Sequence, residues 1–136
     1  MDILNSTIAQ LREMLKKKEI SSVELTRYYL DRIGKYNGEI LAYLRTTDDY
    51  AMKMAREADE KIARGEDAPL LGVPLGMKDI LCTKGIETTC ASSILKGFVP
   101  PYDATVIRKL KEAGFVHLGR LNMDEFAMGS STENSA

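Results

Sequence analysis

The sequence predicts an α/β fold in which helices pack around a mixed β-sheet. Three observations support this prediction. Apolar residues recur at helical spacing in residues 1–40 and again in residues 106–113. Two apolar runs, 72–79 and 115–119, have the length and composition of buried strands. The second run directly follows a helical stretch that Gly114 ends, which is the helix-to-strand unit typical of α/β proteins.

Length and composition are those of one ordinary globular domain. The chain has 136 residues, of which 44% are hydrophobic and 29% are charged, and its formal net charge is −1. We expect a single domain with a helical lead-in over residues 1–40 and an α/β part over residues 41–136. The small net charge gives no global electrostatic argument for binding to nucleic acid or to membranes.

Signals for targeting and for metal binding are absent from the sequence. It contains no run of about 18 apolar residues, and its start lacks the basic and apolar regions of a signal peptide, so we expect a cytoplasmic protein. Cys82 and Cys90 form neither a CxxC pair nor a disulfide framework, and His117 is the only histidine. We therefore expect no zinc site or other metal site within this chain.

The N-terminal region is predicted to form two helices. Asn5 or Ser6 can cap the first helix, because both side chains accept hydrogen bonds from backbone N–H groups. Ser21 and Glu24 have the spacing of a capping box for the second helix, which we expect to end at residues 37–38.

A short strand and a third helix come next. Residues 41–45 have the composition of a strand. Thr47 or Asp48 can then cap a helix that carries an alanine- and methionine-rich apolar face and that Gly65 closes.

A lone lysine lies at the end of the apolar, glycine-containing run 71–79. If this run is a strand, which we expect at the centre of the sheet, alternation places Gly76 and Lys78 on one face and Asp79 on the other. Gly76 then leaves space beside Lys78. A lysine accepts a proton only in its neutral form, which an adjacent carboxylate would disfavour. Taken alone, this local pattern favours a strand-end lysine whose charged head reaches water. Pro74 shares the Lys78 face, and the opposite face carries Val73, Leu75 and Met77.

The second half of the chain combines irregular stretches with the helix-to-strand unit. Residues 81–93 are rich in Thr, Gly, Ser and Cys, which is typical of a functional loop or of hydroxyls that satisfy turns. Asp103 should cap a helix, and Asn122 should cap a second, short helix that ends at Gly129. We expect His117 to be a core histidine and not a catalytic base, because no Ser or Cys is placed as its nucleophile. The hydroxyl-rich tail contains neither a helix end nor a strand, so we expect the chain to be part of a longer polypeptide. The helix that Asp103 should cap is expected to carry, on its inward face, Val106, Ile107, Leu110 and Ala113.

Three separated blocks together resemble the amidase signature family. They are residues 72–79 with Thr88-Thr89 downstream, residues 103–106 with Ala113-Gly114, and residues 122–136. The resemblance covers nearly the whole chain, and its third block is most similar to the A subunits of aspartyl/glutamyl-tRNA amidotransferases. It implies the N-terminal part of the amidase signature fold, ending before the glycine/serine-rich signature of that family.

The resemblance implies a Ser, cis-Ser, Lys triad in which Lys78 is the lysine. Neutral Lys78 would take a proton, through the bridging cis-serine, from a serine that attacks the glutamine amide to give an acyl-enzyme and ammonia. Both serines and the oxyanion loop belong to the signature that this chain lacks, so we predict that the 136 residues alone are inactive. Gly129, Ser130 and Ser131 match the preceding block, where they are expected to line the substrate pocket or brace its loop.

The resemblance also implies partners. In the family, a B subunit receives the ammonia and activates misacylated tRNA with ATP and magnesium, while a small C subunit wraps the assembly. It implies glutamine as the substrate, contact with tRNA mainly through the B subunit, and no cofactor in this chain. Two alternatives stay open: a stand-alone amidase of the same family that acts on small amides, and a non-enzymatic assembly module that retains only the scaffold.

Overall fold

Helices and short strands alternate along the chain. The structure is a computed structural model that describes residues 2–136. Two short 3₁₀ helices, Ser93–Leu95 and Glu125–Ala127, lie in irregular stretches of the second half. The other elements are α1 (Ile8–Lys16), α2 (Ser22–Ile40), β1 (Tyr43–Thr46), α3 (Asp48–Ala63), β2 (Pro74–Lys78), α4 (Thr105–Glu112) and β3 (Val116–Leu121).

The three strands form a mixed sheet in the order β1-β3-β2. β1 is antiparallel to β3, and β2 is parallel to β3, so the predicted α/β fold with a mixed sheet is confirmed. The expectation that the Lys78 strand is central is wrong for the described residues, because β2 lies at an edge and β3 lies in the middle. Five consecutive residues of β3 are buried, from Val116 to Arg120, whereas β2 ends in the exposed Lys78. A strand that is buried along its length can accept partners on both sides.

Helix α1 begins one or two residues later than the sequence predicts. Thr7 is its N-cap and forms a capping box with Gln10, whose side chain accepts the Thr7 N–H over 2.7 Å. Asn5 and Ser6 do not cap, because their side chains donate to Asp2, over 2.6 Å and 2.7 Å. The choice among these three polar residues depends on a local turn that residue type alone does not reveal.

Helix α2 begins as predicted and ends later than predicted. The capping box of Ser21 and Glu24 is present. The helix continues through residues 37–38, and the half-buried Asn37 side chain exchanges two hydrogen bonds, each of 2.8 Å, with the backbone of Tyr43. Leu41, with φ of 54°, closes the helix in the left-handed conformation, so β1 starts at Tyr43.

The caps of α3 and α4 differ from expectation in how their side chains are used. Thr47 is the N-cap residue of α3, but its hydroxyl bonds to His117 and not to the helix. Asp103 precedes the N-cap of α4 and accepts hydrogen bonds from the Lys84 N–H and the Lys111 Nζ. Tertiary partners outcompete the helix N–H groups for both side chains. Of the residues assigned to the inward face of α4, Val106 is half exposed.

The helix predicted from Asn122 to Gly129 is wrong. Only the 3₁₀ turn Glu125–Ala127 forms, and Phe126 and Ala127 have φ of 51° and 59°. The carboxylate of Asp124 accepts N–H groups from residues further along the chain, which folds this segment back on itself as a loop.

Three apolar clusters hold the sheet against its helices. One lies between α1, α2 and the start of β2, a second between α3 and β3, and a third between α4, β2 and the residue that precedes β3. The buried members of the three clusters are, in the same order, Leu11, Leu15, Ile20, Leu25 and Val73; Ala51, Ala55 and Val116; and Met77, Ile107 and Phe115.

No helix within residues 2–136 has the length and apolar character needed to cross a bilayer.

Candidate active site

Lys78 lies at the carboxyl end of β2, beside the parallel strand β3. Its Cα partner in β3 is Leu121, the last residue of that strand. The lysine is exposed, and its Nζ forms no hydrogen bond or ion pair within residues 2–136. The carboxyl ends of parallel strands are where open α/β sheets place their ligands. Lys78 is therefore accessible at the edge of the sheet where a substrate would be expected.

Asp79 faces away from Lys78, as predicted, and is fully buried. Its Oδ1 accepts from Arg120 Nε over 2.8 Å and from Arg45 Nη2 over 2.9 Å. Its Oδ2 accepts from the Thr89 hydroxyl over 2.5 Å and from the Thr89 N–H over 3.0 Å. Burial by itself would raise the pKa of Asp79, but hydrogen bonds from Thr89 and Arg120 outweigh it and hold the pKa below its usual value. The carboxylate next to the lysine is thus fully engaged elsewhere.

Arg120 is the buried cation that the sequence analysis missed. Its side chain is fully buried in the middle of the sheet. Besides Asp79, it donates to the Leu81 carbonyl over 2.7 Å and to the hydroxyls of Thr83 and Thr88 over 2.8 Å and 3.2 Å. It thereby binds the turn after β2 and the threonine segment of the first family-like block. The sequence feature that could have identified it is an arginine between a glycine and a leucine at the end of a strand-like run.

The space beside Lys78 is occupied by Tyr43. A Cβ atom at Gly76 would lie 2.6 Å from the Tyr43 Oη and 3.0 Å from the Leu121 Cδ2. A Cβ atom at Gly119, the cross-strand partner of Gly76, would lie 3.1 Å from the Tyr43 Cδ1. The prediction that Gly76 leaves space beside Lys78 is wrong, because an aromatic ring from β1 packs closely against this glycine. Burial raises the pKa of Tyr43, which keeps its phenol neutral.

A tight turn connects the end of β2 to the last block of the chain. The Cys90 N–H donates to the Asp79 carbonyl over 2.9 Å, and the Cys90 carbonyl accepts from the Phe126 N–H over 3.0 Å. Cys90 and Ala91 have φ of 53° and 52°, a left-handed conformation that residues with side chains seldom adopt. The Ala136 N–H donates to the Ala91 carbonyl over 3.0 Å. Backbone strain of this kind is concentrated at functional sites.

The three predicted substrate-binding residues lie in an exposed loop around Asp124. Gly129, Ser130 and Ser131 are all exposed, and no hydrogen bond joins them to Lys78. The Asp124 carboxylate accepts the Thr132 N–H over 2.9 Å, and backbone hydrogen bonds, first from Thr132, lower its pKa. A Cβ atom at Gly129 would collide with that carboxylate. The structure therefore places this loop after the end of β3, whose last residue, Leu121, pairs with Lys78, and the Cys90 carbonyl joins it to the strained turn.

His117 is a buried core residue, as predicted. Its Nδ1 lies 2.9 Å from the Thr47 hydroxyl, and its Nε2 has no partner within residues 2–136. Burial, with added repulsion from Arg120 and Lys111, lowers the pKa of His117 to about 4. A histidine with this pKa is a weak base at neutral pH.

Comparisons with known proteins identify the family of this chain. The family model described as Amidase matches residues 24–136. The A subunit of the glutamyl-tRNA(Gln) amidotransferase from Desulfatibacillum aliphaticivorans is 61% identical over 130 residues, which are 96% of this chain and 27% of that relative. The protein of the same name from Geobacter sp. strain M21 is 57% identical over 135 residues, covering 99% of this chain and 28% of the relative.

Solved structures have the same fold. A peptide amidase from Stenotrophomonas maltophilia is 33% identical, with a TM-score of 0.85 over 90% of this chain and 26% of that protein. The A subunit of the glutamyl-tRNA(Gln) amidotransferase from Thermotoga maritima is 32% identical, with a TM-score of 0.76 over 100% of this chain and 27% of that protein. The chain thus spans 26–28% of the length of these four relatives.

Proposed function

This chain belongs to the amidase family, and from that premise we propose that the protein of which it is part hydrolyses glutamine to supply ammonia for tRNA-dependent transamidation. The acceptors would be misacylated Glu-tRNA(Gln) or Asp-tRNA(Asn). The names of the two bacterial relatives at 57–61% identity support this substrate class over that of a general amidase.

The observation that carries the proposal is the exposed position of Lys78 and its lack of an ion-pair partner within residues 2–136. The lysine lies at the carboxyl end of β2. The adjacent carboxylate of Asp79 is engaged by Arg120 and Arg45. The Lys78 amine is therefore free to form a hydrogen bond with a serine hydroxyl, which is the contact that the proposed proton transfer requires.

In the proposed reaction, Lys78 is the general base of a Ser, cis-Ser, Lys triad. It takes a proton, through the bridging serine, from the nucleophilic serine, whose oxygen bonds to the amide carbon of glutamine. Lys78 returns the proton as the C–N bond breaks and ammonia leaves, and water then hydrolyses the acyl-enzyme to glutamate. Both serines are assigned to a glycine/serine-rich signature outside these 136 residues, and Gly129, Ser130 and Ser131 are assigned to the substrate pocket.

The proposed partners are a B subunit, which would use ATP and magnesium to activate the tRNA, and a small C subunit. ATP and magnesium are assigned to the B subunit because the resemblance to the family implies that this subunit activates the tRNA. Contact with tRNA would be made mainly by the B subunit, and the reaction would take place in the cytoplasm.

A stand-alone amidase is the second candidate, favoured by the structural likeness to the peptide amidase from Stenotrophomonas maltophilia. A coupled ammonia assay on the complete protein, with glutamine and with acetamide, separates the two candidates. We expect turnover of glutamine and co-purification with B and C subunits. Turnover of acetamide alone, by a protein that purifies without partners, would contradict the proposal.

The same assay tests whether these 136 residues are active alone. We expect no glutamine hydrolysis, because the proposed nucleophile is absent. Turnover that Lys78→Ala abolishes would overturn this part of the proposal. A urea melt tests the third candidate, an assembly module, which predicts cooperative unfolding of the isolated chain. A fragment of a larger sheet would instead associate through its open strand edges.

A further inference from the structure

A buried ion pair is formed by the residue that follows Lys78, on the opposite face of the sheet, and the proposed reaction does not use it. Asp79 and Arg120 are both fully buried, and the Arg120 Nε donates to the Asp79 Oδ1 over 2.8 Å. Removing two charges from water is costly, so an ion pair of this kind is often no more stable than apolar residues of the same volume. Stability alone is therefore a weak physical reason for this pair.

Asp79 is fixed by its backbone as well as by its side chain. Its N–H donates to the Leu121 carbonyl over 3.3 Å, which extends the pairing of β2 with β3 by one residue. Its carbonyl accepts the Cys90 N–H over 2.9 Å, and its carboxylate accepts both donors of Thr89. The residue that follows Lys78 is thus held by the sheet on one side and by the strained turn on the other.

The two arginines keep the Asp79 carboxylate on the face opposite Lys78. Arg120 and Arg45 both donate to the same oxygen, Oδ1, and Thr89 occupies the other oxygen. A carboxylate with both oxygens engaged in this way cannot turn to form an ion pair with the adjacent lysine. Such an ion pair would engage the Lys78 amine and withdraw it from the proposed serine partner.

We propose that Asp79, held by Arg120 and Arg45, is a positioning residue that fixes the Lys78 peptide and keeps the lysine unpaired for proton transfer. The proposal rests on the proposed function, in which Lys78 is the base. Asp79 does not contact the substrate and acts only through its neighbour. Displacement of a catalytic group by about 1 Å can cost about 100-fold in rate.

The test uses Asp79→Asn in the complete protein with its partner subunits. The amide keeps the shape of the side chain but loses the charge. Its NH₂ group must also face a donor of Arg120 and Arg45 or of Thr89, because both carboxylate oxygens of Asp79 accept hydrogen bonds. We expect kcat for glutamine hydrolysis, corrected for the folded fraction measured by circular dichroism, to fall about 100-fold with little change in KM.

Asp59→Asn is the matched control. The Asp59 carboxylate also accepts two N–H groups, from Ser22 and Val23 at 2.7 Å and 3.1 Å, at the N-terminus of α2. It should lower stability and leave the corrected kcat within about twofold.

Lys78→Ala in the same assay distinguishes a failure of the proposed function from a failure of the positioning role. If Lys78→Ala retains activity, the proposed function fails. If Lys78→Ala abolishes activity while folded Asp79→Asn keeps kcat within about twofold, the positioning role is overturned and the proposed function stands. Should Asp79→Asn not fold, Thr89→Ala removes one donor to Asp79 and leaves the ion pair in place. We expect this variant to lower kcat about tenfold, and an unchanged kcat would also overturn the positioning role.

Discussion

The phenol oxygen of Tyr43 lies 2.6 Å from the position that a Cβ atom at Gly76 would occupy. The Tyr43 ring therefore crosses from β1 over β3 to β2 and ends two residues before Lys78, on the same face of the strand. Gly76 and its cross-strand partner Gly119 form the shelf on which this ring lies. The wall beside Lys78 thus comes from a strand that is distant in the sequence.

Gly76→Ala should destabilise the protein. The added methyl group must displace the Tyr43 hydroxyl and Leu121, and overpacking of this kind costs about 1–3 kcal/mol. Urea unfolding of the complete protein measures the loss. Gly34→Ala in α2 is the control, because its Cβ would meet no atom within 4 Å, and this helical substitution should stabilise by about 0.5–1 kcal/mol. Equal stability of the two variants would show that the ring does not occupy this shelf.

Stability should fall as the pH drops from about 6.5 to about 4 because of His117. The folded state keeps this histidine neutral down to about pH 4, whereas the unfolded state takes up a proton below about 6.5. Above about pH 6.5 His117 is neutral in both states and does not lower the free energy of unfolding. At pH 4 the free energy of unfolding should be lower by up to about 3 kcal/mol. His117→Gln removes the titrating group, so its stability relative to the parent should rise steadily over this range. A constant difference between the two proteins would contradict the buried, neutral state of His117.

Loss of Arg120 should be far more costly than loss of an exposed arginine. Arg120→Leu leaves the buried Asp79 carboxylate with only Arg45 as a charged partner, and breaking a buried pair costs about 3–5 kcal/mol. Arg108→Leu breaks an ion pair with Glu112 whose side chains are 58% and 62% exposed, and should cost no more than about 0.5 kcal/mol. Denaturant titration compares the two variants. Similar small losses would mean that the buried network adds little to folding.

Features that depend on neighbours in sequence were predicted well. The capping box of Ser21 and Glu24 needs only residues three apart, and alternation along β2 correctly placed Lys78 and Asp79 on opposite faces. The buried strand around His117 was also recognised, because a continuous apolar run directly after a glycine-ended helix has few other interpretations.

Features that depend on distant partners were not predicted. Asn122 looked like a helix cap, but the Asp124 carboxylate accepts the N–H groups of Thr132 and Asn134 and so forms a loop. Arg120 was overlooked because arginine is rarely buried without a partner, and its partner Asp79 lies 41 residues away. Tyr43 was assigned only to a strand, since nothing in its local sequence shows that it crosses two glycines.

The most direct test of the account is the rate of glutamine hydrolysis by Lys78→Ala in the complete protein with its partner subunits. Lys84→Ala is the control, because it removes another exposed lysine six residues along the chain. The account predicts that kcat falls on the order of 10⁴-fold or more for Lys78→Ala and stays within about twofold for Lys84→Ala. A Lys78→Ala protein that folds and keeps a tenth or more of the parent kcat, on the order of a 1 kcal/mol change in barrier, would contradict the role of Lys78 as the base.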